Sequence, residues 1–479
     1  MILTALLLAC ETEPVAAPAP TSPSILLITL DTTRADRLGP YGYIHAQTPT
    51  YDALAEQGTT YLRAYSSCPL TIPSHSTILS GLYPPTHGVR DNGDFVLSDD
   101  VVLVSERLKE AGYRTAAFTS AFPTQARWGF NQGFDVYHDP LERDPTRLDW
   151  SDQRRADEVI DDALEQLGEW EGSAPTFFWV HLFDAHWPYD PPEPYRSRFL
   201  TSPYDGEIAY TDAQVGRLMK AWDARHGADS IVVITADHGE GLGDGGEQTH
   251  GFLLHDGTTR VPMLVRGPGV AAGAVEDDVV GLVDVTPTLL SLVGLPLHEG
   301  IQGRSMLEGG SESVYSEALT GQFNLGLAPL HSLTRPEGRF MEGGYGAFYE
   351  VFDSHDIATF PDRDADIAPH QEALGTLRAA MDEVIAPAAA LTADDLAMLQ
   401  ALGYIGGDTT AEAGEVDPRD VIDVIPLTWQ VRQLLGMRRF EQAEAQLSTL
   451  RERMPQTFGV DLLQAQLHRA KGELPEAYA

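Results

Sequence analysis

Cysteine is nearly absent. Two occur in 479 residues, Cys10 and Cys68, so no disulfide framework holds this fold. Basic charge is scarce as well: 32 Lys and Arg face 71 Asp and Glu, a net charge of −39. That balance argues against nucleic acid or an anionic membrane surface as a partner. An anionic small molecule would have to be drawn by a local field at a bound cation, not by the whole surface. The apolar stretch from Met1 to Cys10 is too short to span a bilayer. What the chain does have is apolar residues, 43% of the total, enough for a sizeable core. Its length exceeds one ordinary domain, although a large α/β enzyme core can absorb most of it.

Residues 1–10 resemble the end of a bacterial lipoprotein signal, with Leu7-Leu8-Ala9 before Cys10. On that reading Cys10 is lipidated, and residues 11–24, rich in Pro, Ala and Thr, form a tether. The protein is then held in the cell envelope, touching membrane by its lipid alone. An ordinary cleaved signal, which would leave the protein secreted, is the alternative. With Cys10 used, Cys68 is left as a small buried hydrophobe.

Thr71-Ile-Pro-Ser-His75 is the stretch around which the chain is organised. Pro73 pre-sets a helical φ and suits a first turn. A helix then runs on from Ser74 and ends near Gly81 and Pro84. Thr71 thus lies at a helix N-terminus, where free N–H groups and the positive dipole end favour an oxyanion. A hydroxyl there is either a nucleophile for a phosphate or sulfate ester or simply an N-cap.

Ile25–Leu30 and Ile231–Ala236 are six-residue apolar runs that read as strands buried on both faces. Asp31 follows the first, and Asp237-His238-Gly239-Glu240 follows the second. In open parallel sheets, ligands bind beyond the carboxyl ends of the strands. Asp31, Asp237, His238 and the Thr71 hydroxyl therefore make a candidate divalent metal site.

With these residues in view, the chain resembles the sulfatases of the alkaline phosphatase superfamily. The matching segments, in family order, are Leu30–Asp36 with Tyr41-Gly-Tyr43, Thr71–His75, Ala236–Glu240, His250-Gly251, Arg260-Val-Pro262, Val283–Leu289 and Gly303-Arg-Ser305. The resemblance covers residues 25–405. It implies an α/β fold: a mixed, mostly parallel sheet flanked by helices, with a small C-terminal antiparallel sheet at about 312–355. It also implies one divalent metal ion. Calcium suits the sulfatase pattern, and a histidine among the ligands admits manganese or zinc.

The departures bear on substrate. Sulfatases carry Cys or Ser, oxidised to formylglycine, where this chain has Thr71, and Arg where it has His75. Thr32 replaces a second family aspartate, and the family's Gly-Lys-Trp-His segment has no match. Relatives with a threonine nucleophile act on phosphate and phosphonate esters. The loop from His181 to Pro192 resembles the family's substrate-side loop and points to His186 as a substrate ligand or proton donor. His250 falls near the place of a second cationic substrate ligand, and His75 completes the expected substrate set. His181 reads as a packed strand-end residue. Glu240 and Asp36 read as groups that orient the ligands. His87, His255 and Arg260 are weaker, structural candidates.

Leu391 to Tyr404 reads as a closing helix, and residues 406–418 as an acidic linker. The segment 419–479 resembles a tetratricopeptide array: Arg438–Ala443 and Gly472–Ala477 align 34 residues apart, the period of that repeat. Two functions are expected. The first is a metal-dependent hydrolase of a small-molecule or glycan sulfate, phosphate or phosphonate ester, with Thr71 as nucleophile and His186 or His250 serving the leaving group. The second is a silent, surface-tethered sulfatase fold that binds a protein partner through its helical repeats.

Overall fold

The structure is a computed structural model that describes residues 22–141, 153–344, 346–352, 359–362, 366–392, 395, 399, 413–455 and 457–473. The lipidation site at Cys10, its tether and most of the closing helix lie outside the described residues. Nine strands form the large sheet: β1 (Ile25–Leu30), β2 (Thr59–Tyr65), β3 (Arg114–Phe118), β4 (Val136–His138), β5 (Thr176–Leu182), β6 (Ile231–Ala236), β7 (Arg260–Val261), β8 (Met263–Arg266) and β9 (Ala274–Gly281). Their order is β4-β3-β5-β1-β6-β8-β2-β7, with β9 also on β2. The first five in that order run parallel, while β8 runs antiparallel to β6 and β2.

The apolar runs behave as continuous hydrophobic strands should. Every residue of β1 and β6 is buried, as expected for parallel strands covered on both faces. Register then places the chemistry. Leu30 pairs with Leu182 on one side and Ala236 on the other. The next residues, Asp31 and Asp237, therefore leave neighbouring strand ends side by side. Thr29, one position back, pairs with His181 and Thr235.

Helices flank the sheet. The spacing of Val159, Ile160, Ala163, Leu164 and Leu167 predicts one apolar face on the helix Ala156–Glu169, and all of these are buried except Leu164, which is partly so. The helix Thr71–Ser80 is buried throughout and stops at Gly81, which takes a left-handed φ of 73°.

A second, antiparallel sheet orders β10 (Val314–Ala318), β11 (Leu330–Arg335), β12 (Gly338–Gly343), β13 (Gly346–Phe352) and β14 (Thr359–Asp362) in sequence. Arg90 ties it to the main body through two hydrogen bonds to Glu317 on β10, at 2.8 and 2.6 Å.

Three helices close the described chain: Pro426–Gly436, Phe440–Arg453 and Phe458–Lys471. They do not stand apart from the rest. Val431, Leu447, Leu450 and Leu463 share one core with Leu330 on β11, Met341 on β12 and Phe252–Leu254 of the large domain. The linker segment also bonds to the main body, with Ala328 N–H donating to the Val416 carbonyl at 2.8 Å. The second copy of the expected repeat passes out of the described residues after Glu473.

Candidate active site

Asp31, Asp237 and His238 meet as the register dictates. Each offers one ligand atom, and these atoms lie within 4.8 Å of one another. All three side chains are fully buried. Asp237 spends one oxygen on the His238 backbone N–H at 2.8 Å. His238 Nδ1 faces the Gly239 carbonyl at 3.0 Å. A carbonyl only accepts, so Nδ1 carries the proton and Nε2 keeps its lone pair. That nitrogen points at the acids, 3.6 Å from Asp237 Oδ2 and 3.9 Å from Asp31 Oδ1.

The electrostatics fit a cation. Burial first, then the charges of Asp237 and Glu240, raises the Asp31 carboxyl well above its ordinary range. Burial pushes Asp237 up to about 6, against the pull of His75. Burial also holds His238 well below its ordinary value, hence neutral. Two dry carboxylates beside a neutral imidazole lone pair form a donor set that a divalent ion would satisfy. Beside them Thr32 holds a left-handed φ of 49°, which a β-branched residue adopts only under constraint. The constraint is visible: its hydroxyl donates to the Ala185 carbonyl at 2.8 Å, and its carbonyl accepts from Tyr204 at 2.7 Å.

Thr71 is the first residue of its helix, and extended Leu70 precedes it. It is not an N-cap. Its Oγ1 is buried and makes no hydrogen bond among the described residues. Asn92, which the sequence reading missed, lies alongside. Its Oδ1 accepts the Ile72 N–H at 2.8 Å, and its Nδ2 is buried without a partner among the described residues. In sequence Asn92 belongs only to an Asn-Gly turn, so nothing local announced it.

His75 differs from expectation. Nδ1 is bonded to the Thr71 carbonyl at 2.8 Å and lies 3.6 Å from Asp237 Oδ2, while Nε2 meets Thr29 Oγ1 at 3.0 Å. Both nitrogens are engaged within the protein, so His75 braces the backbone at Thr71 and does not face a substrate. His181 is buried on β5 as expected, but its Nε2 looks at Asp31 Oδ2 from 3.6 Å.

His186 and His250 come together, with ring centres 5.2 Å apart. His186 stacks on Phe183 and gives Nδ1–H to the Trp187 carbonyl, leaving Nε2 without a partner among the described residues. His250 Nδ1 is 3.1 Å from Glu240 Oε1, and Glu240 Oε2 accepts from Tyr189 at 3.0 Å. The His250 ring lies 4.4 Å from that of His238. Burial pushes both His186 and His250 down to about 3. Asp36 acts at one remove: it pairs with Arg34, which holds the Glu240 and Gly241 carbonyls. His87, His255 and Arg260 make structural bonds to Thr77, Glu247 and the Leu62 carbonyl.

The sequence pattern of the sulfatase family matches residues 23–295, more than half of the chain. The chain belongs to the sulfatase family. Among curated relatives, an ulvan-active sulfatase of Formosa agariphila is 27% identical over 335 residues, covering 60% of this chain and 65% of that protein. A choline-sulfatase of Rhizobium meliloti is 26% identical, over 58% of this chain and 69% of that one. The chain thus spans about two thirds of the length of these relatives. Among solved structures, the phosphonate monoester hydrolase of Agrobacterium radiobacter superposes with a TM-score of 0.61 at 21% identity, over 74% of this chain and 95% of that one. A structure bound to D-glucosamine-2-N,6-O-disulfate gives 0.62 at 17% identity, over 74% and 97%. At these identities the likeness is one of fold.

Proposed function

We propose that the protein is a metal-dependent ester hydrolase that uses Thr71 as its nucleophile and favours phosphate diesters or phosphonate esters over sulfates. One observation carries this reading. Asp31, Asp237 Oδ2 and His238 Nε2 are buried together, Thr71 Oγ1, Asn92 Nδ2 and His186 Nε2 are buried on neighbouring segments, and none has a hydrogen-bond partner among the described residues. Each orphaned group costs about 1–3 kcal/mol. A concentration of them is what a site for a cation and an oxyanion needs.

Asp31, Asp237, His238 and Thr71 Oγ1 would hold the cation. An imidazole donor suits manganese or zinc better than calcium, which prefers oxygen. When bound, the cation supplies positive charge that lowers the Thr71 hydroxyl pKa and neutralises an ester oxygen. Thr71 Oγ1 attacks the central atom in line, forming the enzyme ester as the leaving oxygen departs. Asn92 Nδ2 donates to a non-bridging oxygen as charge builds there. The proton that Thr71 loses is taken up by the bare Nε2 of His186 or by His250 and given to the leaving oxygen, and water then cleaves the Thr71 ester at the same atom.

The substrate preference follows from that exit. A formylglycine hydrate can expel sulfate by collapse of a hemiacetal, whereas Thr71 cannot. Its ester needs a second attack at the central atom, which two-step phosphoryl transfer performs routinely. The named relatives are sulfatases, and the solved neighbours of this fold include both a phosphonate monoester hydrolase and a disulfated-sugar complex, so the preference rests on the chemistry of Thr71. Lipidation of Cys10 would place the activity in the cell envelope. A panel of p-nitrophenyl phosphate, phosphonate and sulfate esters, run with added Mn²⁺, Zn²⁺ or Ca²⁺ against Thr71→Ala, tests the proposal.

A further inference from the structure

A cavity of about 410 Å³ lies between the helices Pro426–Gly436 and Phe458–Lys471. Arg432 and Leu435 line it from the first helix. Gln466, Arg469 and Ala470 line it from the second, at the i, i+3 and i+4 spacing of one helix face. Two arginines thus share one cavity, and no Asp or Glu is among its lining residues. In a chain with 71 acidic residues against 32 basic ones, that balance is locally reversed.

Arg432 is the unusual group. Its Nε and Nη2 are buried and have no hydrogen-bond partner among the described residues. Arg107 and Arg266 also leave Nε unbonded, but each has a carboxylate, Glu110 at 2.8 Å and Asp223 at 2.6 Å. Arg432 has none: burial lowers its pKa, and no neighbouring acid pulls it back. A guanidinium stays charged at physiological pH. Stripping water from a charge is costly unless an opposite charge replaces it. Nη1 is not among the buried atoms, so the group can still be reached from outside.

An occupant must meet two demands. Arg432 and Arg469 call for an anion, and the Gln466 amide offers a further donor. Leu435 and Ala470 call for apolar surface beside that anion. Inorganic phosphate meets the first demand and not the second. A run of acidic residues is opposed by the net charge of −39 on the whole chain. One carboxylate on an apolar stem meets both, and its planar oxygens match a guanidinium edge.

We propose that this cavity binds a single carboxylate carried on a short apolar stem, either a free organic acid or the C-terminus of a peptide. The inference stands on the C-terminal helices and does not rest on the hydrolase reading. Titration calorimetry of the full chain tests it with hexanoate, hexanamide, tetra-alanine with a free C-terminus, and inorganic phosphate. At least one of the two carboxylates should bind about tenfold or more tighter than hexanamide and phosphate, as a charge-assisted hydrogen bond requires. The tighter carboxylate names the source. Arg432→Gln should lose that binding with its circular dichroism and thermal midpoint kept, and Arg469→Gln should weaken it. Hexanamide binding as tightly as hexanoate would leave only an apolar crevice and overturn the proposal. So would phosphate binding tighter than both carboxylates, no binding of either carboxylate, or unchanged affinity in Arg432→Gln. The comparison of acid with amide is made on the wild type and needs no variant to fold.

Discussion

Asn92 holds the start of the helix Thr71–Ser80: its Oδ1 accepts the Ile72 N–H at 2.8 Å, while its Nδ2 stays buried and unpartnered among the described residues. The two ends of one amide thus serve two tasks. One fixes the backbone after Thr71, and in the proposed mechanism the other donates to the developing oxyanion. Asn92→Asp keeps the acceptor and loses the donor. It should lower kcat/KM by about 10²–10³, as loss of an oxyanion donor does, with the fold intact by circular dichroism. Turnover within about threefold of wild type would show that Asn92 is only a brace.

Asp31 and Asp237 are expected to be indispensable to the cation. Asp31→Ala and Asp237→Ala should each purify without stoichiometric metal and without esterase activity, because each leaves an under-charged, open donor set. Elemental analysis reads this directly. Full metal content in either variant would remove the assignment.

Arg90 neutralises Glu317 where the two sheets join. Burial pushes the Glu317 carboxyl up, but the Arg90 charge and hydrogen bonds outweigh it and hold it below the ordinary range. A depressed folded value adds stability above the ordinary carboxyl range and loses it as pH falls through that value. Arg90→Met leaves the buried carboxylate unpaired and should cost about 3–5 kcal/mol at neutral pH. The deficit should shrink at acid pH, where Glu317 protonates. Urea titrations at two pH values check both statements, and an equal deficit at both would contradict them.

The C-terminal helices complete the wall behind His250. They share a core with Phe252–Leu254, which follow His250 after Gly251. Val431 is fully buried in that core, so Val431→Asp should lower the thermal midpoint and reduce turnover through a displaced His250 loop. A destabilised variant with unchanged kcat would show that the helices are an independent appendage.

Much of this site could be read from the chain, and the reasons are local. The runs ending at Asp31 and Asp237 declare buried strands, and Pro73 declares a helix start at Thr71. His186 and His250 lie in loops where a site at those strand ends could use them. What was hidden depends on register. Thr29 and His181 are 152 residues apart and meet only because β1 lies beside β5. His75 takes its role from Thr29 and the Thr71 carbonyl, and neither contact follows from spacing. Asn92 becomes visible only once the Ile72 N–H needs a partner. The acidic stretch before the C-terminal helices read as a linker because its composition could not reveal the apolar surface beneath it.

The central claim is that Thr71 itself carries the covalent ester. It is tested most directly by comparing kcat/KM for matched p-nitrophenyl phosphonate, phosphate diester and sulfate esters on metal-loaded protein, wild type against Thr71→Ala. The account predicts faster phosphonate or phosphate diester turnover than sulfate turnover, and loss of nearly all of it in Thr71→Ala. A higher kcat/KM for the sulfate, or turnover that survives Thr71→Ala, would contradict it.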